Sequence, residues 1–284
     1  MPTFHFTPNL WRFRDGAHTY GIICSRWLLD MERSIITERT ELAGIPILHV
    51  RARTLQGPAP TILYFHGWSS KKEFNIIPAE LLAIDGFRVI VPDQIHHGER
   101  GALADYPKAA KTHFWKVILH SIEEAAILRD AAVAAGWSQP EQFGVAGHSM
   151  GGFVSSGVLA RFPWAQAAVL LNGCPCYVWA DAHYRQTAGA FPAAPGQVER
   201  LSQFDPEHLV ARVAPKPLLM QHGSADTSVP VGGVKRFYDL AKPHYAAHPE
   251  RLALTIVDRL DHYVTNHMME AMRNWFLQWV APHA

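Results

Sequence analysis

The stretch "GVAGHSMGGF", residues 144–153, decides the fold assignment, because it sets "GHSMG" (147–151) between a short apolar run and a helical pattern. Glycines two residues either side of Ser149 permit a turn so tight that larger side chains would clash there. A strand, turn and helix of this kind leave the serine hydroxyl exposed at the tip, which is the position of a nucleophile. Two glycines and a serine in this frame also arise by chance, so the motif needs support from the rest of the chain.

The composition favours a protein that acts on a small molecule. A chain of 284 residues with 48% hydrophobic content can bury a large core, and we expect residues 1–284 to form a single domain. Lys and Arg total 26 against 25 Asp and Glu, a formal charge of +1 with no long run of either sign. This balance argues against a nucleic-acid or anionic-membrane partner and leaves the oligomeric state open.

The termini and cysteines predict a cytoplasmic protein. The first residues contain no apolar signal region, and nowhere do 18 apolar residues follow one another, so no membrane insertion is expected. The three cysteines, Cys24, Cys174 and Cys176, cannot form a disulfide framework, and the last two lack the two-residue spacer of a redox or zinc pair.

Six apolar runs of strand length show no in/out alternation, which is typical of strands buried on both faces of a parallel sheet. These runs lie at 61–65, 88–91, 143–146, 167–171, 217–221 and 252–257. Helical patterns occupy 112–135, 153–161 and 268–280, and alternating residues around Gly44 predict an antiparallel hairpin over 34–53. The chain is therefore predicted to be an α/β protein with a mostly parallel central sheet flanked by helices.

One connection, residues 173–213, is much longer than a usual crossover between neighbouring strands. It contains Tyr177, Trp179, Tyr184 and Phe191, which makes it too aromatic for a disordered linker. We expect it to form a small cap over the site.

A serine nucleophile needs a base to take its proton and an acid to orient that base. Asp226 follows the fifth run and His262 follows the sixth, so both reach the sheet edge that carries Ser149. Asp258 and Asp261 are alternative acids because they lie near His262 in sequence. The order Ser, Asp, His is that of the α/β-hydrolase fold.

The chain resembles α/β-hydrolases, and among them small bacterial serine esterases related to dienelactone hydrolase and to the catalytic domain of prolyl oligopeptidase. The motifs that carry the resemblance are "YFHGWSSKKE" (64–73), "VIVPDQIHHGERG" (89–101), "GVAGHSMGG" (144–152), "PLLMQHGSADTSVP" (217–230) and "DHYV" (261–264). The resemblance implies Ser149 as nucleophile, Asp226 as orienting acid and His262 as general base. It also implies an oxyanion hole from the backbone N–H groups of Met150 and Trp68.

Four further residues are predicted to contact substrate: His66, His148, Tyr177 and Trp179. His66 could equally be a buried histidine that shapes the oxyanion loop.

Glu99 and Arg100 also match the esterase group, but an ion pair that fixes their loop explains them as well as substrate contact does. The pairs His96/His97 and His244/His248 lack a nearby acidic or thiol ligand, so no metal and no cofactor is expected.

The sequence thus predicts a serine carboxylesterase that cleaves small to medium acyl esters through an acyl-enzyme. A thioesterase or an aminoacyl or peptide amidase could use the same residues. A hydrolase-fold protein that binds a ligand without chemistry is the third alternative.

Overall fold

The sheet matches the predicted α/β architecture. A computed structural model describes residues 34–189 and 192–280; Cys24 and Phe191 lie outside these ranges. The eight strands within them run in the order β1-β2-β4-β3-β5-β6-β7-β8. They are β1 (Ile35–Leu42), β2 (Ile45–Ala52), β3 (Thr61–Phe65), β4 (Arg88–Pro92), β5 (Phe143–His148), β6 (Ala165–Leu171), β7 (Leu218–Gly223) and β8 (Leu252–Val257). β2 pairs antiparallel with β1 and β4, and β3 to β8 are mutually parallel, which confirms the α/β-hydrolase prediction.

Each predicted strand is present. β3 and β8 have the predicted bounds, and the other four differ by no more than two residues at either end. All five residues of β3 and of β4 are buried, which explains the uninterrupted apolar runs at 62–65 and 89–92.

The predicted hairpin at the sheet edge is β1 and β2. The strands pair from Ile35 with Ala52 to Leu42 with Ile45. The turn residues Ala43 and Gly44 both have positive φ angles, 52° and 73°, as a two-residue hairpin turn requires.

Helices cover both faces of the sheet. The α-helices of the described residues are α1 (Ile76–Ile84), α2 (Tyr106–Ala134), α3 (Met150–Arg161), α4 (Tyr177–Thr187), α5 (Gln197–Ser202), α6 (Val210–Val213), α7 (Val231–Ala241) and α8 (Asn266–Trp279). Short 3-10 helices occupy Lys72–Asn75, Gly98–Arg100, Lys242–Tyr245 and Pro249–Arg251. None of these helices combines the length and the apolar character that a bilayer crossing requires.

α2 begins at Tyr106 rather than at residue 112, because Asp105 caps it by accepting a hydrogen bond from the Lys108 N–H at 3.0 Å. The first turns of α2 lack apolar residues at helical spacing, so the sequence pattern did not predict them as helix. α1 was not predicted.

Two hydrophobic clusters lie on opposite faces of the sheet. Along β3, Leu63 and Phe65 join one cluster and Ile62 and Tyr64 join the other, as the alternation of a strand dictates. α2, α3 and α7 pack on the first face, and α1 and α8 pack on the second. The core therefore holds the strand ends rigidly at the edge where the predicted catalytic residues lie.

The long connection, residues 173–213, contains α4, α5 and α6. Asp205 fixes the start of α4 by accepting a hydrogen bond from the Val178 N–H at 2.8 Å. The Trp115 indole on α2 donates to Asp181 on α4 at 2.8 Å. These bonds tie α4 to the body of the protein, and its role as a cap stays a prediction.

Candidate active site

Ser149 sits in a strained turn between β5 and α3, with φ 57° and ψ −120°. Its N–H donates to the Leu171 carbonyl on β6 at 2.8 Å, which holds the turn against the sheet. A Cβ placed on Gly151 would lie 1.9 Å from the Phe65 carbonyl oxygen, and one on Gly147 would lie 2.4 Å from the Gly151 carbonyl carbon. The turn therefore requires glycine at both positions, as the sequence indicated.

Asp226 and His262 follow β7 and β8, and their side chains meet. His262 Nδ1 lies 2.8 Å from Asp226 Oδ2. Because an ionised carboxylate only accepts hydrogen bonds, Nδ1 carries the proton and Nε2 is left able to accept one. Asp226 Oδ1 accepts hydrogen bonds from the Ser228 N–H at 2.9 Å and the Val229 N–H at 2.8 Å. His262 and Ser149 line the same cavity.

His222, at the end of β7, is a second partner of Asp226 that the sequence reasoning did not identify. Its Nε2 lies 2.8 Å from the Val229 carbonyl and 3.3 Å from Asp226 Oδ2, so Nε2 carries the proton. Burial alone would raise the pKa of Asp226. Hydrogen bonds from His222, His262 and the Val229 N–H outweigh it and hold that pKa well below its usual range.

The two alternative acids have other partners. Asp261 accepts hydrogen bonds from the Thr227 N–H at 2.8 Å and from its hydroxyl at 3.0 Å. Asp258 accepts from the Ser224 hydroxyl at 3.3 Å. Neither carboxylate is hydrogen bonded to the His262 ring, so the geometry pairs this ring with Asp226.

The loop after β3 lies against the serine turn, and two histidines shape it. A Cβ on Gly67 would lie 3.4 Å from the Ser149 Cβ. His97 Nδ1 donates to the Ile95 carbonyl at 2.9 Å, which leaves Nε2 to accept the Ser69 N–H at 3.2 Å. The Trp68 N–H is one of the two predicted oxyanion donors. It belongs to the peptide group directly before the one whose N–H, that of Ser69, is bound to His97.

His66 lies beneath the same loop and is fully buried. Its Nδ1 donates to the Gly67 carbonyl at 2.8 Å, and its Nε2 accepts the Gln94 N–H at 3.1 Å. Burial is the main reason that the pKa of His66 falls to about 4. The ring does not line the cavity, and its hydrogen bonds to residues 67 and 94 favour the loop-shaping one of its two predicted roles.

Charged side chains brace this loop from below. Lys72 donates from its backbone N–H and its ammonium group to Asp93, at 2.9 and 2.7 Å, and the ammonium also contacts Glu99. Arg100 forms a two-pronged ion pair with Glu124, both bonds at 2.7 Å. Glu99 and Arg100 therefore fix the loop through ion pairs and do not line the cavity. The sequence identified neither Lys72 nor Glu124 as a partner.

A cavity of about 500 Å³ lies beside the serine turn. Ser149 and His262 line it together with Trp68 and Ser69 of the loop after β3. The rest of its lining comes mainly from α2, α4 and α5 and is largely aromatic and polar: Lys111, Phe114, Trp115, Asp181, Tyr184, Arg185 and Gln197. This volume accommodates a small to medium ligand.

The other predicted substrate contacts lie outside the cavity lining. The ring of His148 lies 4.8 Å from that of His262, and burial is the main cause that lowers the pKa of His148 to about 4. Tyr177 is a fully buried core residue whose hydroxyl lies 3.2 Å from that of Ser156. Trp179 stacks on His183 with ring centroids 5.4 Å apart. Tyr177 and Trp179 thus pack within the insertion and the His148 ring lies beside that of His262, so none of the three lines the cavity, and their contact with substrate stays a prediction.

The histidine pairs considered as metal ligands form no chelating group. Within residues 34–189 and 192–280, no set of three or more His, Cys, Asp or Glu side chains is arranged to hold a metal ion.

Together, the sheet order and the residues that follow β5, β7 and β8 define an α/β-hydrolase. A model of the prolyl oligopeptidase family matches residues 77–283. The chain belongs to the prolyl oligopeptidase family.

Comparison with known proteins supports this assignment. The chain is 34% identical over 248 residues to a Bacillus subtilis strain 168 protein named "Putative esterase YitV", covering 84% of this chain and 97% of that one. It is 28% identical over 199 residues to Esterase YjfP of Escherichia coli K12, covering 68% and 79%. The crystal structure of TT1662 from Thermus thermophilus shares the fold, with a TM-score of 0.67, 24% identity, and coverage of 88% and 99%. The chain is thus a serine hydrolase, as the sequence predicted.

Proposed function

We propose that this chain is a carboxylesterase that hydrolyses small to medium acyl esters through an acyl-enzyme on Ser149. The observation that carries the proposal is the Asp226–His262 pair, with Nδ1 and Oδ2 2.8 Å apart, in the cavity that Ser149 also lines. The esterase names of the Bacillus and Escherichia relatives support an ester as the substrate.

In the acylation step, Ser149 attacks the ester carbonyl carbon and its proton passes to His262 Nε2. The carbonyl oxygen becomes an oxyanion, which the N–H groups of Met150 and Trp68 stabilise. The Met150 N–H begins α3, has no intrahelical acceptor, and lies at the positive end of the helix dipole. The tetrahedral intermediate then collapses, and His262 returns the proton to the departing alcohol.

In the deacylation step, a water molecule attacks the acyl carbonyl while His262 takes its proton. Collapse of the second intermediate releases the acid and restores the Ser149 hydroxyl. Asp226 keeps the Nδ1 proton of His262 in place throughout and stabilises the imidazolium that forms in each half-reaction.

Residues 173–213 act in this proposal as the cap that forms part of the acyl pocket. Asp181, Tyr184 and Arg185 from this segment line the cavity together with Ser149. The cytoplasmic location stays a prediction, and the buried, unpaired Cys174 and Cys176 accord with it.

The same residues can cleave a thioester or an amide, and the family's peptidase name favours the amide as a second candidate. Measuring the turnover of esters, thioesters and aminoacyl amides with matched acyl groups distinguishes these activities. Turnover of the oxygen esters alone would remove the second candidate.

The test of the proposal is turnover of a p-nitrophenyl ester series of increasing acyl length. We expect wild type to hydrolyse short and medium esters and Ser149→Ala to lose this activity. Ser202→Ala, which removes a hydroxyl on α5 outside the cavity lining, serves as the matched control. Equal rates in wild type and Ser149→Ala would overturn the proposal.

A further inference from the structure

A polar cluster from α2, α4 and α5 lines the same cavity as Ser149 and His262. At its centre, the buried Asp181 accepts hydrogen bonds at Oδ1 from the Trp115 indole at 2.8 Å and the Gln197 amide at 2.6 Å. Asp181 Oδ2 accepts from Arg185 Nε at 2.8 Å. Both carboxylate oxygens are therefore engaged by the protein, and Asp181 acts as a fixed anchor for its neighbours.

Asp181 holds the guanidinium of Arg185 on one side only. Its Nε donates to Asp181, whereas its two terminal nitrogens donate to no group among the described residues. About a fifth of the side chain, 21%, is exposed, and Arg185 belongs to the cavity lining. The terminal nitrogens are thus unused donors on a group whose orientation is already fixed, so binding an acceptor there costs little side-chain entropy.

The unused donors of Arg185 favour an anionic acceptor, because a guanidinium forms its strongest hydrogen bonds with a charged oxygen group. Among the described residues, the acidic side chain in the cavity lining is Asp181, and both of its carboxylate oxygens are already engaged by Trp115, Gln197 and Arg185. Phe114, Trp115 and Tyr184 supply apolar surface to the same cavity, and such surroundings weaken screening by water.

We propose that Arg185 binds a free carboxylate on the substrate, so that the preferred substrates are esters that carry a second, unesterified carboxylate. This inference rests on the proposed carboxylesterase function. A carboxylate matches the planar fork of a guanidinium and can accept from both terminal nitrogens. The structure leaves two sources for this group, the acyl chain of a dicarboxylic monoester or the alcohol part of the ester.

The test compares paired esters that differ in one carboxylate. On the acyl side, 4-nitrophenyl monoesters of adipic and suberic acid are set against the hexanoate and octanoate. On the alcohol side, the butyrate of 3-(4-hydroxyphenyl)propanoate is set against the butyrate of 4-propylphenol. We expect the wild-type kcat/KM to be roughly 10- to 100-fold higher for the carboxylate member of one set, the range given by a charge-assisted hydrogen bond.

Arg185→Gln should remove this preference, and Arg185→Lys, which keeps a cation, should retain a part of it. Arg200→Gln, which removes a positive charge from an exposed position of α5, should keep the wild-type ratio. Fluorophosphonate labelling of Ser149 reports whether each variant keeps a folded site.

Equal kcat/KM within all three pairs in wild type would overturn the inference without recourse to any variant, and so would a preference that survives in Arg185→Gln. In either case, the proposed carboxylesterase function is still supported if wild type turns over the neutral esters and Ser149→Ala does not. Absence of all ester turnover would overturn the proposed function and this inference together.

Discussion

The carboxylate of Asp226 is fully buried, whereas the His262 ring that it contacts, with Nδ1 2.8 Å from Oδ2, retains 19% side-chain exposure on the cavity side. The proposed orienting acid is thereby shielded from water, and the proposed base remains within reach of a substrate. A buried anion stabilises the imidazolium more strongly than an exposed one does, because less solvent screens its charge.

Replacement of Asp226 by Asn keeps the shape of the pair but removes its charge and favours the wrong histidine tautomer. We expect Asp226→Asn to lower kcat by about 10⁴-fold, the size of this effect in serine proteases. The matched control is Asp261→Asn, which alters a carboxylate bound to Thr227 near the same histidine. Steady-state kinetics on one ester measures both, and an equal loss in the control would contradict the assignment of Asp226.

His97 positions the oxyanion loop through the bond from the Ser69 N–H to its Nε2. We expect His97→Leu to lower kcat roughly 10- to 100-fold with little change in KM, because a misplaced oxyanion donor affects the transition state more than substrate binding. His97→Gln, which offers an acceptor oxygen, should recover part of the loss. A rise in KM with unchanged kcat in His97→Leu would argue against this role.

A methyl group at Gly151 would overlap the Phe65 carbonyl, with a Cβ to oxygen distance of 1.9 Å. Since the Cβ position is fixed by the helix backbone and the carbonyl belongs to β3, neither can rotate away, so Gly151→Ala should lower the thermal unfolding temperature and abolish fluorophosphonate labelling of Ser149. Gly232→Ala in α7 is the control, because its Cβ would meet only the Trp179 ring, at 3.3 Å. An active, stable Gly151→Ala protein would show that the turn is less constrained than described.

His66 makes stability depend on pH in a direction set by its pKa. The folded-state pKa is about 4 against an ordinary value of 6.5, so the unfolded chain binds the proton more readily. The stabilising contribution is complete above about pH 6.5 and is lost as the pH falls toward 4.

Urea unfolding near pH 7 and near pH 4.5 measures this effect. His66→Gln should reduce the pH dependence of the unfolding free energy by roughly 2 kcal/mol over that interval. His267→Gln, at a histidine with 97% side-chain exposure, should leave the wild-type dependence intact. The same dependence in His66→Gln and wild type would contradict the contribution assigned to His66.

The sheet and the three residues proposed for catalysis could be predicted because each depends on local sequence. A parallel strand buried on both faces favours an apolar run, as in β5 and β7 before Ser149 and Asp226. His262 follows β8, an edge strand in which only Leu252 is buried but whose sequence is still mainly apolar. The serine turn carries its own steric signature in Gly147 and Gly151.

The hydrogen bonds and ion pairs around the site could not be predicted, because they join segments that are distant in sequence. The bond between Trp115 and Asp181 links α2 to α4, and the Lys72–Asp93 ion pair links the 3-10 helix after β3 to the end of β4. The position of Tyr177 could not be predicted for a different reason, which is that its local sequence does not reveal which way its side chain faces. An aromatic residue on a short helix has the same sequence pattern whether it faces a cavity or, as here, the core.

The most direct test of the central claim is mass spectrometry of the intact protein after reaction with a fluorophosphonate, with peptide mapping of the adduct. An activated Ser149 predicts one adduct on this residue, its loss in Ser149→Ala, and strong reduction in His262→Ala. An adduct on another residue, or undiminished labelling of Ser149→Ala, would contradict the claim that Ser149 is the nucleophile.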